Sequence, residues 1–170
     1  MVAPSEHYTD PDKFYDPKKN PGKREHLKIL FLDIDGVCNH QKTRERQGDT
    51  KFIGINPVMA DRVRRIIAET RCRVVLSSSW RLFPDSRKWA AENVCEFFDV
   101  TCDLNRGAVW GIIYRGFEVK EWLDRHPGAK RYAILDDSND FLWGQHLFRT
   151  TWAEGLTDEI ADQVIAHLNA

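Results

Sequence analysis

Two aspartates, Asp33 and Asp35, stand one residue apart at the end of the apolar run Ile29-Leu30-Phe31-Leu32, and Gly36 follows them. Alternation along an extended chain points both carboxylates to the same side. Carboxylates that converge repel each other, and a hard cation with oxygen ligands, Mg²⁺ before others, relieves the repulsion. Taken alone, D-x-D-G also fits a strand that ends in an ordinary Asp/Gly turn. The rest of the chain adds to it. Ser77 follows the run Val74-Val75-Leu76, the pair Asp136-Asp137 follows Tyr132-Ala133-Ile134-Leu135, and Arg115 stands between them. Carboxylates, hydroxyls and a guanidinium are the groups that phosphate chemistry uses.

These side chains need elements to carry them. The three apolar runs read as strands buried on both faces, the pattern of a parallel sheet. Asn56 and Pro57 predict a helix start, with Met59, Val63, Ile66 and Ile67 as its apolar stripe. Ser86 is expected to cap a helix carrying Trp89, Ala90, Val94 and Phe97, and short extended pieces are expected near Val100 and Ile112. A helix from Arg115–Gly116 carries Val119, Trp122 and Leu123 and stops at His126-Pro127-Gly128. His146 to Thr150 reads as a last strand, and Thr157 caps a final helix with Ile160, Val164 and Leu168. Strand–helix alternation predicts a doubly wound parallel α/β sheet, with the three polar strand ends gathered at the ligand-binding edge.

A chain of 170 residues, 42% hydrophobic and 30% charged, suits one soluble domain with a good core. No apolar run approaches a membrane span, and the polar, proline-bearing start does not read as a secretory signal. Cys38, Cys72, Cys95 and Cys102 lack C-x-x-C spacing and read as reduced thiols of a cytoplasmic protein. Residues 1–26, with four prolines and no periodicity, read as a polar arm before a domain at 27–170. The polar, aperiodic loop 37–54 beside the first strand end reads as functional and is too short for a lid domain. Net charge is −1, unevenly spread: residues 41–88 hold 12 basic and 5 acidic side chains, residues 89–170 hold 7 and 14. A positive middle suits an anionic partner, or its charges mix with the acidic half in three dimensions.

With these residues in this order, residues 27–168 resemble the haloacid dehalogenase-like (HAD) phosphohydrolase superfamily. D-x-D-G at Asp33–Gly36, Ser77, Arg115 and the acidic group Asp136, Asp137 and Asp140 match its motifs. The runs Leu76-Ser77-Ser78-Ser79-Trp80-Arg81 and Arg115-Gly116-Phe117-Glu118-Val119 resemble the branch linked to RNA repair, including the phosphatase half of polynucleotide kinase-phosphatases. The resemblance implies a single Rossmann-like HAD domain with a minimal cap and a phosphatase activity. Asp33 is the implied nucleophile and Asp35 the general acid and base. Ser77, Ser78 and Arg115 would bind phosphate. Arg81, two residues beyond Ser79 at the end of the serine run, reads either as a contact to a second phosphate of a polymer or as a surface arginine. Asp33, Asp35 through its backbone carbonyl, Asp136 and Asp137 would hold Mg²⁺, with Asp140 acting directly or through water. The third motif is usually a lysine. Arg115 fills it here, and Lys120 is a rival five residues into the helix.

No lid has room between Asp35 and Ser77, so an extended or macromolecular substrate is expected; the resemblance to the repair-linked branch implies that it is the phosphorylated end of a nucleic acid, the 3′ end in preference to the 5′. Trp80 reads first as a core residue; otherwise it, or an aromatic of the arm, would stack on a base. No membrane partner is expected. A phosphatase of nucleotides or other small phosphoesters is the alternative, and a non-catalytic binding module of the same fold is a third reading.

Overall fold

The computed structural model describes residues 27–48, 50–106 and 114–170. The expected arm at 1–26 and the extended piece near Ile112 lie outside the described residues. Five strands, β1 (Lys28–Leu32), β2 (Arg73–Leu76), β3 (Asp99–Val100), β4 (Arg131–Asp136) and β5 (Leu147–Arg149), form one parallel sheet in the order β3-β2-β1-β4-β5. Among the described residues four α-helices connect or follow them: α1 (Pro57–Thr70), α2 (Pro84–Asn93), α3 (Arg115–Arg125) and α4 (Asp158–Asn169).

Residues 29–32 of β1 are fully buried because β1 is central and covered on both faces. One face, with Leu30, Leu32, Leu76 and Leu135, meets Val63 and Ile66 of α1 and Val164 and Leu168 of α4. The other, with Ile29, Phe31, Val75 and Ile134, meets Val119 and Trp122 of α3. Phe31 and Trp122 pack edge to face with ring centroids 5.3 Å apart. The Trp122 indole N–H donates to the Asp99 carboxylate at 2.6 Å, so its one polar atom is satisfied at the rim of that core.

The caps fall largely where the sequence places them. Asn56 accepts from the Val58 N–H with Pro57 as first helical residue, and Thr157 caps α4. The second helix differs. It begins at Pro84, its cap residue Phe83 makes no side-chain bond, and Val94 and Phe97 lie beyond its end at Asn93. Pro84 starts it because a missing N–H costs nothing in a first turn. The Ser86 hydroxyl instead bonds Gln47 Oε1 in the loop after β1.

The charge asymmetry resolves by mixing along α1. Arg62 holds Asp158 at 2.7 Å, Arg65 holds Asp162 at 2.8 Å and Arg64 holds Asp61 at 2.6 Å. The helix arginines are thus tied to acids of α4 or of α1 itself. The cations of the loop after β1 (Lys42, Arg44, Arg46, Lys51) are exposed.

No helix among the described residues is long and apolar enough to cross a membrane.

Candidate active site

The strand order reverses between β1 and β4, and an open parallel sheet binds ligands beyond the strand ends at that point. Register decides who meets there. Leu32 pairs with Leu76 on one side and Leu135 on the other, so Asp33, Ser77 and Asp136 stand level. Two backbone bonds fix them: Asp33 N–H to Leu135 O at 2.9 Å and Ser77 N–H to Leu32 O at 2.8 Å.

β1 stops at Leu32, and the chain then coils tightly, with Val37 and Cys38 both donating to Ile34 O. Strand alternation therefore no longer governs Asp35, and the two aspartates have different neighbours. The Asp33 carboxylate faces Arg115 Nη1 at 3.0 Å. The Asp35 carboxylate accepts from the Trp80 indole N–H at 2.9 Å and from the Asn39 amide at 2.8 Å. Gly36 completes the coil with φ of +75°, and a Cβ there would run into the carboxylate of Asp137. Glycine is needed at this position twice, for the turn and for the close approach.

Asp33, Asp136 and Asp137 offer carboxylate oxygens within 4.8 Å of one another. Arg115 lies between the first two, 2.6 Å from Asp136. Burial pushes the Asp33 carboxyl above its ordinary range, against Arg115, the Ser78 hydroxyl and the Ile34 N–H. Burial and then the charge of Asp33 push Asp136 up to about 7, against Arg115 and the Ser138 N–H. Burial works against the Arg115 cation, but the two aspartates outweigh it and hold it charged. A buried set of acids with one cation among them is poised for further positive charge.

Two buried atoms here have no hydrogen-bond partner among the described residues: Asp33 Oδ1 and Ser77 Oγ. Buried polar atoms are seldom left unpaired without a reason. An all-oxygen set with an unpartnered buried carboxylate oxygen fits Mg²⁺, which prefers oxygen ligands and keeps several waters. The unpartnered Ser77 hydroxyl beside it fits a donor to a phosphoryl oxygen.

Residues 29–161 match the family described as the HAD domain in Swiss Army Knife RNA repair proteins. The chain belongs to this family. No curated protein matches the chain. In this HAD domain Arg115 stands among the acids, whereas Lys120 pairs with Asp124 on the exposed face of α3.

One expectation needs correction. Arg81 does not present its guanidinium to a second phosphate. Its five N–H groups go to the carbonyls of Ser77, Ser78, Thr101 and Cys102 and to Glu118, and its side chain is 6% exposed. A single 3₁₀ turn at Ser79–Leu82 folds it back under the β2 end. Of the two readings of Trp80 the core one holds: the ring is 5% exposed within the core and offers no face to a base.

Asp140 has a local duty. It accepts from the Arg115 backbone N–H at 3.2 Å and from the Ser138 hydroxyl at 2.6 Å, so it caps the helix that carries the arginine. Ser78 likewise caps the 3₁₀ turn, accepting from the Trp80 N–H. Sequence reasoning missed Asn39 and Glu118. Glu118 lies on the same helical stripe as Arg115, Val119 and Trp122, and a glutamate on an inward stripe signals a buried ion pair.

Proposed function

We propose that this HAD domain is a Mg²⁺-dependent phosphomonoesterase that removes a terminal phosphate, preferentially the 3′ phosphate, from a nucleic-acid strand. The observation that carries the reading is the level set Asp33, Ser77 and Asp136 with Arg115 among them, in which the Asp33 and Ser77 oxygens lack partners.

In the first step an Asp33 oxygen bonds to phosphorus as the P–O bond to the strand breaks, and Asp35 gives its proton to the departing oxygen. In the second, water attacks the aspartyl phosphate and Asp35 takes back a proton. Inorganic phosphate leaves, and Asp33 is again a carboxylate. Ser77 and Arg115 hold the transferred oxygens, and the capped start of α3 keeps Arg115 in place. Asp33, Asp136 and Asp137, with the Asp35 carbonyl, would hold Mg²⁺, which when bound supplies positive charge against the repulsion between Asp33 and the phosphate dianion.

Membership in a family of RNA repair domains supports a nucleic-acid substrate. So does the open edge. Among the described residues the chain between β1 and α1 makes a single antiparallel bridge, Arg46 to Ile53, and it carries the exposed cations Lys42, Arg44, Arg46 and Lys51. Tyr114 and Phe117 at the start of α3 and Trp143 in the connection from β4 to β5 are exposed and offer stacking faces in place of Trp80.

The test compares kcat/KM for a 3′-phosphorylated oligonucleotide, a 5′-phosphorylated one and a nucleoside monophosphate, with Mg²⁺ and with EDTA, at two salt concentrations. The reading expects the 3′ end to be the best substrate, activity to need Mg²⁺, and efficiency to fall with salt as phosphate contacts release counterions. Equal efficiency on all three, insensitive to salt, would point to a phosphatase of small phosphoesters. No turnover of any would leave a binding module.

A further inference from the structure

We infer that Trp80 and Asn39 are positioning residues that hold the Asp35 carboxyl ready for proton transfer to the leaving oxygen. The inference rests on the phosphatase reading above. Neither residue touches the reacting atoms, so each acts through Asp35.

Trp80 Nε1–H donates to Asp35 Oδ2 at 2.9 Å, from a ring buried in the core at the end of β2. An indole N–H can only donate, so it holds that oxygen as an acceptor in every protonation state. Asn39 donates to Asp35 Oδ1 at 2.8 Å and to Gly54 O at 3.2 Å, while its own oxygen accepts from the Gly36 N–H at 3.0 Å. This fully buried amide thus ties three points together: the carboxyl, the turn just after it and the far end of the loop.

Two donors from separate elements, one on each oxygen, fix the plane of the carboxyl. A second lone pair on each oxygen remains to carry the proton. The loop cannot slip away from this arrangement easily, because Gly54 crosses the backbone of Arg46 so closely that a Cβ would collide with it. Asp35 itself is only half-buried on a coil. Without the two bonds its side chain would sample several rotamers, and proton transfer demands one geometry.

The test uses leaving groups of different need. An alkyl phosphate, including a 3′-phosphorylated strand end, must have its oxygen protonated as it departs. p-Nitrophenyl phosphate loses a stable anion and needs little help. Trp80→Phe keeps the aromatic packing and deletes the N–H. Asn39→Asp keeps the acceptor for Gly36 and replaces the donor facing Asp35. In each variant the ratio of kcat/KM on the alkyl ester to that on the aryl ester should fall about tenfold or more, within the span of general-acid catalysis. kcat/KM reports steps only through the first irreversible one, so Asp35's later work as a base does not enter. In an Asp35→Asn background the same substitutions should shift the ratio no further.

Equal losses on both esters, losses that add to Asp35→Asn, or an unchanged ratio would overturn the assignment. Two variants at independent sites guard against one that fails to fold. Failure of the phosphatase reading shows differently: wild-type protein would then turn over neither ester.

Discussion

Replacing Arg81 by methionine should cost the fold about 3–5 kcal/mol, the usual price of stranding one partner of a buried ion pair. Arg81 and Glu118 meet at 2.7 Å with side chains 6% and 2% exposed, so solvent screens them little. The methionine fills part of the space but offers no donor to Glu118. The carbonyls of Thr101, Cys102 and Ser77 lose a partner too, whereas Ser78 O keeps the Arg81 backbone N–H. Burial already raises the Glu118 carboxyl above its ordinary range with Arg81 opposing, so the variant should protonate Glu118 and recover some of the loss. A domain of this size has about 5–15 kcal/mol in hand, so the variant should fold but melt early. Urea unfolding at pH 7 should show a lower midpoint with an unchanged slope. Arg81→Met with Glu118→Gln should lose about 2 kcal/mol less than the sum of the single changes, because the pair couples. A loss below about 1 kcal/mol, with weakened and less salt-dependent oligonucleotide binding, would refute this account and return Arg81 to a phosphate contact.

Other consequences are quickly checked. Asp33→Asn should abolish turnover yet leave the thermal midpoint without Mg²⁺ unchanged or higher, since a buried carboxyl is replaced by a neutral amide. Gly36→Ala combines a left-handed φ with a collision at Asp137, and should cost at least about 1 kcal/mol in unfolding while weakening Mg²⁺ binding measured by calorimetry. Asp136 rises from 3.8 to about 7 on folding without metal, so the folded state holds an extra proton between those values. In EDTA, stability should therefore fall as pH rises from 4 to 7, and Mg²⁺ affinity should drop about tenfold per pH unit below 7 as protons compete. Lys120→Ala should leave kcat/KM unaltered where Arg115→Ala removes it. Trp143→Ala should weaken oligonucleotide binding by about 1–3 kcal/mol and spare p-nitrophenyl phosphate hydrolysis.

The sequence made the fold legible where periodicity and termination coincide. β1, β2 and β4 are unbroken apolar runs that stop at a polar residue, and parallel pairing alone then sets Asp33, Ser77 and Asp136 level. α1 and α4 announce themselves by Asn56-Pro57 and Thr157. What stayed hidden is what side chains do after the strands end. In Ser77-Ser78-Ser79-Trp80-Arg81 the backbone turns through 3₁₀ geometry, which sends neighbouring side chains in different directions, one to Asp35 and one beneath β2. Neither period 2 nor period 3.6 foretells that. Asn39 was equally silent, because its three bonds depend on how the loop folds back to Gly54. The arginines of α1 looked like a basic surface only until α4 was laid beside them.

The central place of β1 also sets the order in which the molecule can be built. Its partner β4 arrives late, since Lys28 pairs with Arg131. Until that pairing closes, Asp33 and Asp136 belong to separate stretches of chain, and bringing two carboxylates together opposes the closure. α3 is made just before β4 and carries Arg115, which meets both acids. The arginine therefore neutralises this long-range step in addition to its proposed hold on the phosphoryl oxygens. Pairings so distant in sequence are slow to form. Arg115→Ala should thus slow refolding more than it speeds unfolding, a kinetic signature that stopped-flow tryptophan fluorescence would read.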